Sequence, residues 1–140
     1  MRRPVAEARL PRGLIDTSVV IDLPAIDPDQ LPVEVAISAI TLAELAAGPH
    51  ATSDSTERAK RQDRLQRAEA TFEPLPVDAS VARAYGRVYA AVVGAGRKAR
   101  GRRAVDLLIA ATAVAADLPL YTRNPDDFAG LSDLLRIVSI

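Results

Sequence analysis

The fold of this 140-residue chain is decided by the stretch Gly13-Leu14-Ile15-Asp16-Thr17-Ser18-Val19-Val20. Its first half is a short apolar run that ends in an acid, which predicts a buried strand with Asp16 at its carboxyl end. Its second half, extended to Leu23, predicts a short helix that is stopped by Pro24 and the proline-rich stretch after it. A buried strand that passes directly into a helix is typical of alternating α/β proteins.

The same alternation continues along the rest of the chain. Further strands are predicted at 33–38, 118–122 and 135–140, with a short edge strand or extended segment at 72–77. Further helices are predicted at 40–47, 57–72 and 105–116, and from an N-cap at Asp78 to Gly94. Because the strands are continuous apolar runs, we expect an α/β fold with a mainly parallel central sheet covered on both faces.

The composition excludes several kinds of site. The chain has no cysteine and one histidine, His50, so a thiolate nucleophile cannot form and a histidine-based metal site or Ser-His-Asp triad is not expected. No apolar run approaches the roughly 20 residues that span a bilayer, so we expect no membrane contact and a cytoplasmic location. We expect residues 1–12, which are rich in arginine, to form a flexible tail before a single domain at 13–140.

Three acids lie in apolar surroundings: Asp16, Glu44 and Asp106. Singly, each has an ordinary explanation, as an N-cap, as the end of a capping box that begins at Thr41, and as a first-turn acid of a helix. Together they are costly to bury, because like charges repel one another. No lysine or arginine is adjacent to Asp16 or Glu44, so a hard divalent metal with oxygen ligands is the economical compensation.

Four stretches that carry acids resemble, in order, the motifs of PIN domains, and among these the VapC toxins of bacterial toxin–antitoxin pairs. They are Ile15–Ser18, Ser38–Leu45, Asp106–Ala113 and Leu120–Phe128. The last is similar to the T-R-N-x-x-D-F pattern of VapC toxins, and the resemblance runs from about residue 13 to residue 140. It implies a three-layer α/β/α PIN-like fold and a metal-dependent endoribonuclease that uses Mg²⁺, with Mn²⁺ as a substitute. It also implies a homodimer that is inhibited by a cognate VapB-type antitoxin.

The resemblance further implies that Asp16, Glu44 and Asp106 are the principal catalytic and metal-site acids. Many PIN domains have an aspartate where this chain has Asn124. Asp127 is therefore expected to be the fourth acid, acting directly or through water, while Asn124 contributes a neutral oxygen or positions a ligand.

Three hydroxyl residues are expected beside these acids: Thr17, Ser18 and Thr122. Thr17 and Ser18 lie at a predicted helix N-terminus, where they would either hold a substrate phosphate or simply cap the helix. Thr122 ends a predicted strand within the fourth motif and is expected to help position the substrate.

Five cations are concentrated just before Asp106: Arg97, Lys98, Arg100, Arg102 and Arg103. The formal net charge of the chain is zero, so no general attraction to nucleic acid is implied. Taken alone, such a run is typical of a solvated loop. Its location favours contacts with the RNA backbone, which would add affinity and salt dependence.

Two other kinds of protein that place acids at strand ends are not matched by this sequence. The chain lacks the acidic pair of a phosphotransfer receiver domain, and position 18 is serine where a haloacid-dehalogenase phosphatase needs a second aspartate. A PIN-fold DNA nuclease and a catalytically degenerate nucleic-acid-binding module remain as alternatives.

An antitoxin is expected to lay an apolar helix in a groove near the helices at 40–47 and 57–72 and to place a basic side chain among the acids.

Overall fold

Four parallel strands form the central sheet of this computed structural model, which describes residues 9–140. They are β1 (Arg12–Ile15), β2 (Glu34–Ala36), β3 (Leu120–Thr122) and β4 (Ile137–Ser139), in the order β2-β1-β3-β4. In the middle of the sheet, Leu14 of β1 lies opposite Ala36 on one side and Leu120 on the other. The predicted parallel sheet is therefore confirmed.

Helices cover both faces of this sheet. They are α1 (Thr17–Asp22), α2 (Ala39–Ala47), α3 (Ser55–Thr71), α4 (Ala79–Gly94) and α5 (Arg102–Ala116). Successive strand residues point to opposite faces, so Leu14 belongs to a core cluster with α4 and α5, whereas Ile15 belongs to a second cluster with α1 to α3. The fold is the three-layer α/β/α arrangement that was predicted.

Several element boundaries differ from those predicted. Helix α5 begins at Arg102 instead of 105, because Gly101 takes the positive φ of 67° from which the chain turns into the helix. The expected edge strand at 72–77 is reduced to one isolated bridge between Ser38 and Leu75. Prolines 74 and 76 have no N–H to extend that pairing. The predicted N-cap Asp78 is confirmed, since its carboxylate accepts from the N–H of Val81.

The start of the domain lies earlier than the sequence indicated. Residues 1–8 of the expected tail lie outside the described residues, so their flexibility stays a prediction. Arg9 donates hydrogen bonds to the carbonyl oxygens of Leu31 and Pro32, and Leu10 packs against the core. The boundary expected at residue 13 falls inside β1. Within residues 9–140, no helix combines the length and the apolar character needed to cross a membrane.

Candidate active site

The four acids singled out in the sequence line one cavity of about 540 Å³ at the carboxyl ends of β1 and β3. Asp16 directly follows β1, Glu44 lies on α2, Asp106 lies on α5, and Asp127 lies in a 3₁₀ turn, Pro125–Phe128, that follows β3. This space is called the acid cavity below. Its remaining lining consists of Thr17, Ser18, Ile21, Arg102, Arg103 and Asn124.

Asp16 is buried and caps α1 from the wall of the acid cavity. Its Oδ1 accepts a hydrogen bond of 3.1 Å from the N–H of Val19 and one of 2.6 Å from the hydroxyl of Ser18. Among residues 9–140, no hydrogen bond uses Oδ2 of this carboxylate. The N-cap explanation of Asp16 is therefore confirmed, and the second carboxylate oxygen is available to the cavity.

Glu44 is held by a hydroxyl from another element. The Thr17 hydroxyl lies 2.6 Å from Oε1 of Glu44 and 3.1 Å from the hydroxyl of Thr41. Since a hydroxyl carries a single proton, it goes to the carboxylate, which is the stronger acceptor, and the Thr41 hydroxyl donates in turn. The capping-box explanation of Glu44 is wrong, because the N-cap of α2 is Ser38, whose hydroxyl accepts from the N–H of Ile40.

The charges in the acid cavity act most strongly on Asp106. Burial, which has the largest effect, and the negative charges of Asp127, Glu44 and Asp16, in that order, together raise the pKa of this carboxyl to about 6. Arg102 acts in the opposite direction. Asp106 thus sits where a cation would relieve an unfavourable concentration of negative charge.

Comparisons with known proteins agree with this geometry. The sequence model of the PIN domain family matches residues 14–134. Ribonuclease VapC5 of Mycobacterium tuberculosis is 38% identical over 122 residues, which cover 85% of this chain and 87% of that protein. The chain is a PIN domain of the VapC type. Ribonuclease VapC8 of the same species is 36% identical over 110 residues, covering 78% of this chain and 96% of that protein.

Solved structures show the same relationship. In the crystal structure of VapBC-5, a member of the VapBC family of toxin–antitoxin systems from Mycobacterium tuberculosis, one chain is 37% identical with a TM-score of 0.81. The match covers 93% of this PIN domain and 99% of that chain. FitAcB from Neisseria gonorrhoeae is 27% identical with a TM-score of 0.70, covering 90% of this chain and 96% of that one.

PIN domains of this kind imply a divalent metal, and the donor chemistry of the cavity fits one. Carboxylates, an amide and hydroxyls supply oxygen atoms only, which suits Mg²⁺ or Mn²⁺. Within the described part of the chain, however, no three acidic or histidine side chains are arranged so that they could hold an ion directly. Mg²⁺ commonly keeps several waters and uses only one or two carboxylates, so the cavity fits a hydrated ion. His50 is exposed and does not line the cavity.

The hydroxyl and amide residues that were expected beside the acids do not all line the acid cavity. Thr17, Ser18 and Asn124 line the acid cavity, but the Ser18 hydroxyl already donates to Asp16 and accepts from the N–H of Arg123. The prediction that Thr122 positions substrate is wrong, because its side chain is fully buried and its hydroxyl accepts from the N–H of Asn124. Thr122 shapes the turn after β3 and is not among the cavity residues.

The five basic residues between positions 97 and 103 have different surroundings in the folded chain. Arg102 and Arg103 line the acid cavity from the first turn of α5, whereas Lys98 and Arg100 are exposed away from its lining. Arg97 is half-buried and donates to the main chain near Asp127. The five cations therefore do not form one continuous surface loop.

Sequence reasoning missed two residues that this geometry uses. Thr41 supports the hydroxyl that holds Glu44, and its place one helical turn before Glu44 was the available signal. Ile21 lines the acid cavity although nothing in its own type points to a site.

A groove lies on the other side of Ile21, between α1 and α3, with a volume of about 530 Å³. It is called the α1–α3 groove below. Its lining combines apolar Val20, Ile21, Leu23, Pro24, Ala68 and Phe72 with Lys60, Asp63, Arg64, Arg67 and Thr71. The groove expected near α2 and α3 is thus bordered by α1 instead of α2. Leu45 of α2 is buried in the core and cannot line it.

Proposed function

We propose that this PIN domain is a metal-dependent endoribonuclease toxin that hydrolyses RNA phosphodiester bonds and is inhibited by a cognate VapB-type antitoxin. The observation that carries the proposal is the meeting of Asp16, Glu44, Asp106 and Asp127 in one cavity. The ribonuclease names of two VapC relatives support RNA as the substrate. The anionic cavity would repel a phosphodiester without a cation, so the proposed activity depends on one.

Each acid has a proposed task in the hydrolysis. Asp16 and Asp106 would hold Mg²⁺, or Mn²⁺ in its place, while Glu44 and Asp127 would act on the ion through water. When bound, such an ion would supply an acidified water molecule and a positive charge for the phosphate. Asp106 or Asp127 accepts the proton as the water oxygen attacks phosphorus. The bond from phosphorus to the 3′ oxygen breaks, and this oxygen takes a proton from solvent, which leaves a 3′-hydroxyl on one fragment and a 5′-phosphate on the other.

The residues around the acids orient this reaction. Thr17 fixes the carboxylate of Glu44 by its short hydrogen bond, and Asn124 offers an exposed amide at the same cavity. Arg102 places a positive charge at the cavity wall, where it favours the approach of a phosphate. Lys98 and Arg100 are exposed and add affinity for the RNA backbone that weakens with salt.

The antitoxin is proposed to occupy the α1–α3 groove. A helix with an apolar face would cover Leu23 and Phe72 and pair its charges with the mixed charges of α3. Because Ile21 borders both spaces, a segment leaving the groove would pass directly over the acid cavity. A basic side chain on that segment would neutralise the acids and block the substrate.

The proposal also includes a homodimer and a cytoplasmic location. Light scattering of the purified chain tests whether it is a dimer.

The test is cleavage of mixed-sequence single-stranded RNA in Mg²⁺, with chelator and with Asp16→Asn as controls. We expect cleavage that requires the metal and is lost in the variant. Cleavage of DNA alone would favour the DNA nuclease. RNA binding without metal-dependent cleavage would favour a degenerate binding module and would refute the enzyme.

A further inference from the structure

The connector between α4 and α5, residues 95–101, is fastened to the turn that carries Asp127. The Arg97 guanidinium donates a hydrogen bond of 3.1 Å to the carbonyl oxygen of Asp126. Arg103, just after the connector, donates one of 2.9 Å to the carbonyl oxygen of Asp127. Both bonds reach the main chain of the Pro125–Phe128 turn, so they fix the path of its backbone and leave its side chains free.

Packing restrains the connector at two further points. Ala99 is buried in the core cluster formed with α4 and α5, so the middle of the connector is anchored. Gly130, just after the turn, has a φ of 92°, and a Cβ there would lie 3.1 Å from the Cβ of Ala95. The connector is therefore held near its start by the segment that follows β3 and in its middle by the core, and a freely solvated loop is excluded.

At this contact Arg103 lies beside Asp127 and bonds to its main chain instead of its carboxylate. Arg103 lines the acid cavity, yet its described hydrogen bond goes to the carbonyl oxygen of Asp127 and not to the carboxylate. No ion pair within residues 9–140 involves Asp127. The Asp127 carboxylate consequently stays available to a cation in the cavity, although an arginine lies beside it.

We propose that Arg97 and Arg103 are positioning residues that hold the Pro125–Phe128 turn so that Asp127 faces the acid cavity. Their effect on the metal site passes through Asp127, and contact with the RNA backbone is not their main role. This inference rests on the proposed function, since it concerns the same cavity. Removing a side chain that orients a metal-site acid typically weakens metal affinity by roughly 10- to 100-fold.

The decisive experiment is a calorimetric titration of the full chain with Mn²⁺, comparing Arg103→Ala with Arg102→Ala. The two arginines are neighbours on the same helix turn and line the same cavity, but Arg102 makes no described hydrogen bond to the turn. Loss of a positive charge beside the acids should by itself tighten Mn²⁺ binding. We therefore expect Arg102→Ala to bind Mn²⁺ as tightly as the wild type or more tightly, and Arg103→Ala to bind it about tenfold more weakly.

Coupling to Asp127 separates positioning from a general structural effect. On an Asp127→Ala background, Arg103→Ala should cause no further loss of Mn²⁺ affinity. Arg103→Lys, which keeps a donor, should recover part of the loss. Arg97→Ala should weaken Mn²⁺ binding in the same direction, and it provides the test if Arg103→Ala does not fold.

Binding of a mixed-sequence single-stranded RNA without metal supplies the opposing readout. Arg103→Ala should leave the salt dependence of RNA affinity unchanged, whereas loss of a phosphate contact would reduce the slope by about one. Unweakened Mn²⁺ binding, or that reduced slope, would overturn the inference alone. A wild-type chain that binds no Mn²⁺ would overturn the proposed function together with it.

Discussion

Thr17 and Glu44 are joined by a hydrogen bond of 2.6 Å between side chains 27 positions apart. Thr17 is the first residue of α1, and Glu44 lies in the second half of α2. The bond therefore ties helices α1 and α2 together at the edge of the acid cavity. It also fixes the orientation of a carboxylate that would otherwise rotate freely.

Replacing Thr17 with valine should remove this restraint while keeping the side-chain volume. We expect Mn²⁺ affinity to fall by about tenfold and RNA cleavage to fall with it, because Glu44 loses the group that orients it. Thr17→Ser is the matched control, since it keeps the hydroxyl and should behave nearly as the wild type. Equal behaviour of the two variants in calorimetry would show that the bond has no such role.

Asp127 and its neighbour Asp126 form a matched pair for testing the fourth acid. Asp127 lines the acid cavity, whereas Asp126 is exposed and does not. At a free Mn²⁺ concentration of about 100 times Kd, binding should stabilise the wild-type protein by about 2.7 kcal/mol. Thermal melting should show a smaller stabilisation at the same concentration for Asp127→Asn and an unchanged one for Asp126→Asn. A similar loss in both variants would point to overall charge and against a specific ligand.

The raised pKa of Asp106 predicts a pH dependence of stability in metal-free buffer. Its folded pKa is about 6, above the ordinary value of 3.8 for an aspartate, so the folded protein binds its proton more tightly than the unfolded chain does. This stabilising contribution is complete below about pH 4 and is lost as the pH rises through 6. Asp106→Asn should therefore stabilise the metal-free protein by about 1 kcal/mol at pH 8, after allowance for its partial exposure.

Urea unfolding at pH 4 and pH 8 in chelator measures this difference. The stabilisation by Asp106→Asn should disappear at pH 4, where the wild-type carboxyl is protonated. An equal gain at both values of pH would mean that the ionisation of Asp106 is not its cause. With saturating Mn²⁺ the order should reverse, since the variant loses a ligand.

Ile21 offers a test of the antitoxin surface. It is 42% exposed and borders both the α1–α3 groove and the acid cavity. Ile21→Ala should weaken binding of the cognate antitoxin by about tenfold, because an apolar contact at the centre of the interface is lost. Val33→Ala is the control, since Val33 is 62% exposed and lines neither space. Equal affinities of the two variants, measured by titration, would place the antitoxin elsewhere.

The sequence was most informative where the deciding signals are local. A short apolar run before Asp16 was enough to predict β1 and the cap of α1, and these predictions are confirmed. Glu44 was ambiguous, because a shift of helix start by a few residues changes whether Thr41 is an N-cap. A single sequence does not resolve helix starts at that precision.

Contacts between segments that are distant in the sequence could not be predicted from local sequence signals. The role of Thr122 was mistaken because the face to which a three-residue strand turns its last side chain depends on neighbouring strands. Arg97 and Arg103 were grouped with three other cations by their spacing alone. Their bonds to main-chain oxygens 29 and 24 positions away depend on tertiary packing, which charge patterning does not contain.

The shortness of α1 has a consequence for how such a protein can change over time. Within six residues this helix is capped by Asp16 at one end and supplies Val20 and Ile21 to the groove near the other. A substitution in α1 that changes the α1–α3 groove, where the antitoxin is proposed to bind, would also disturb the capping of this helix by the Asp16 carboxylate. Variants that escape the antitoxin are therefore expected to lose catalytic activity. Resistance to inhibition and activity should evolve under one shared constraint.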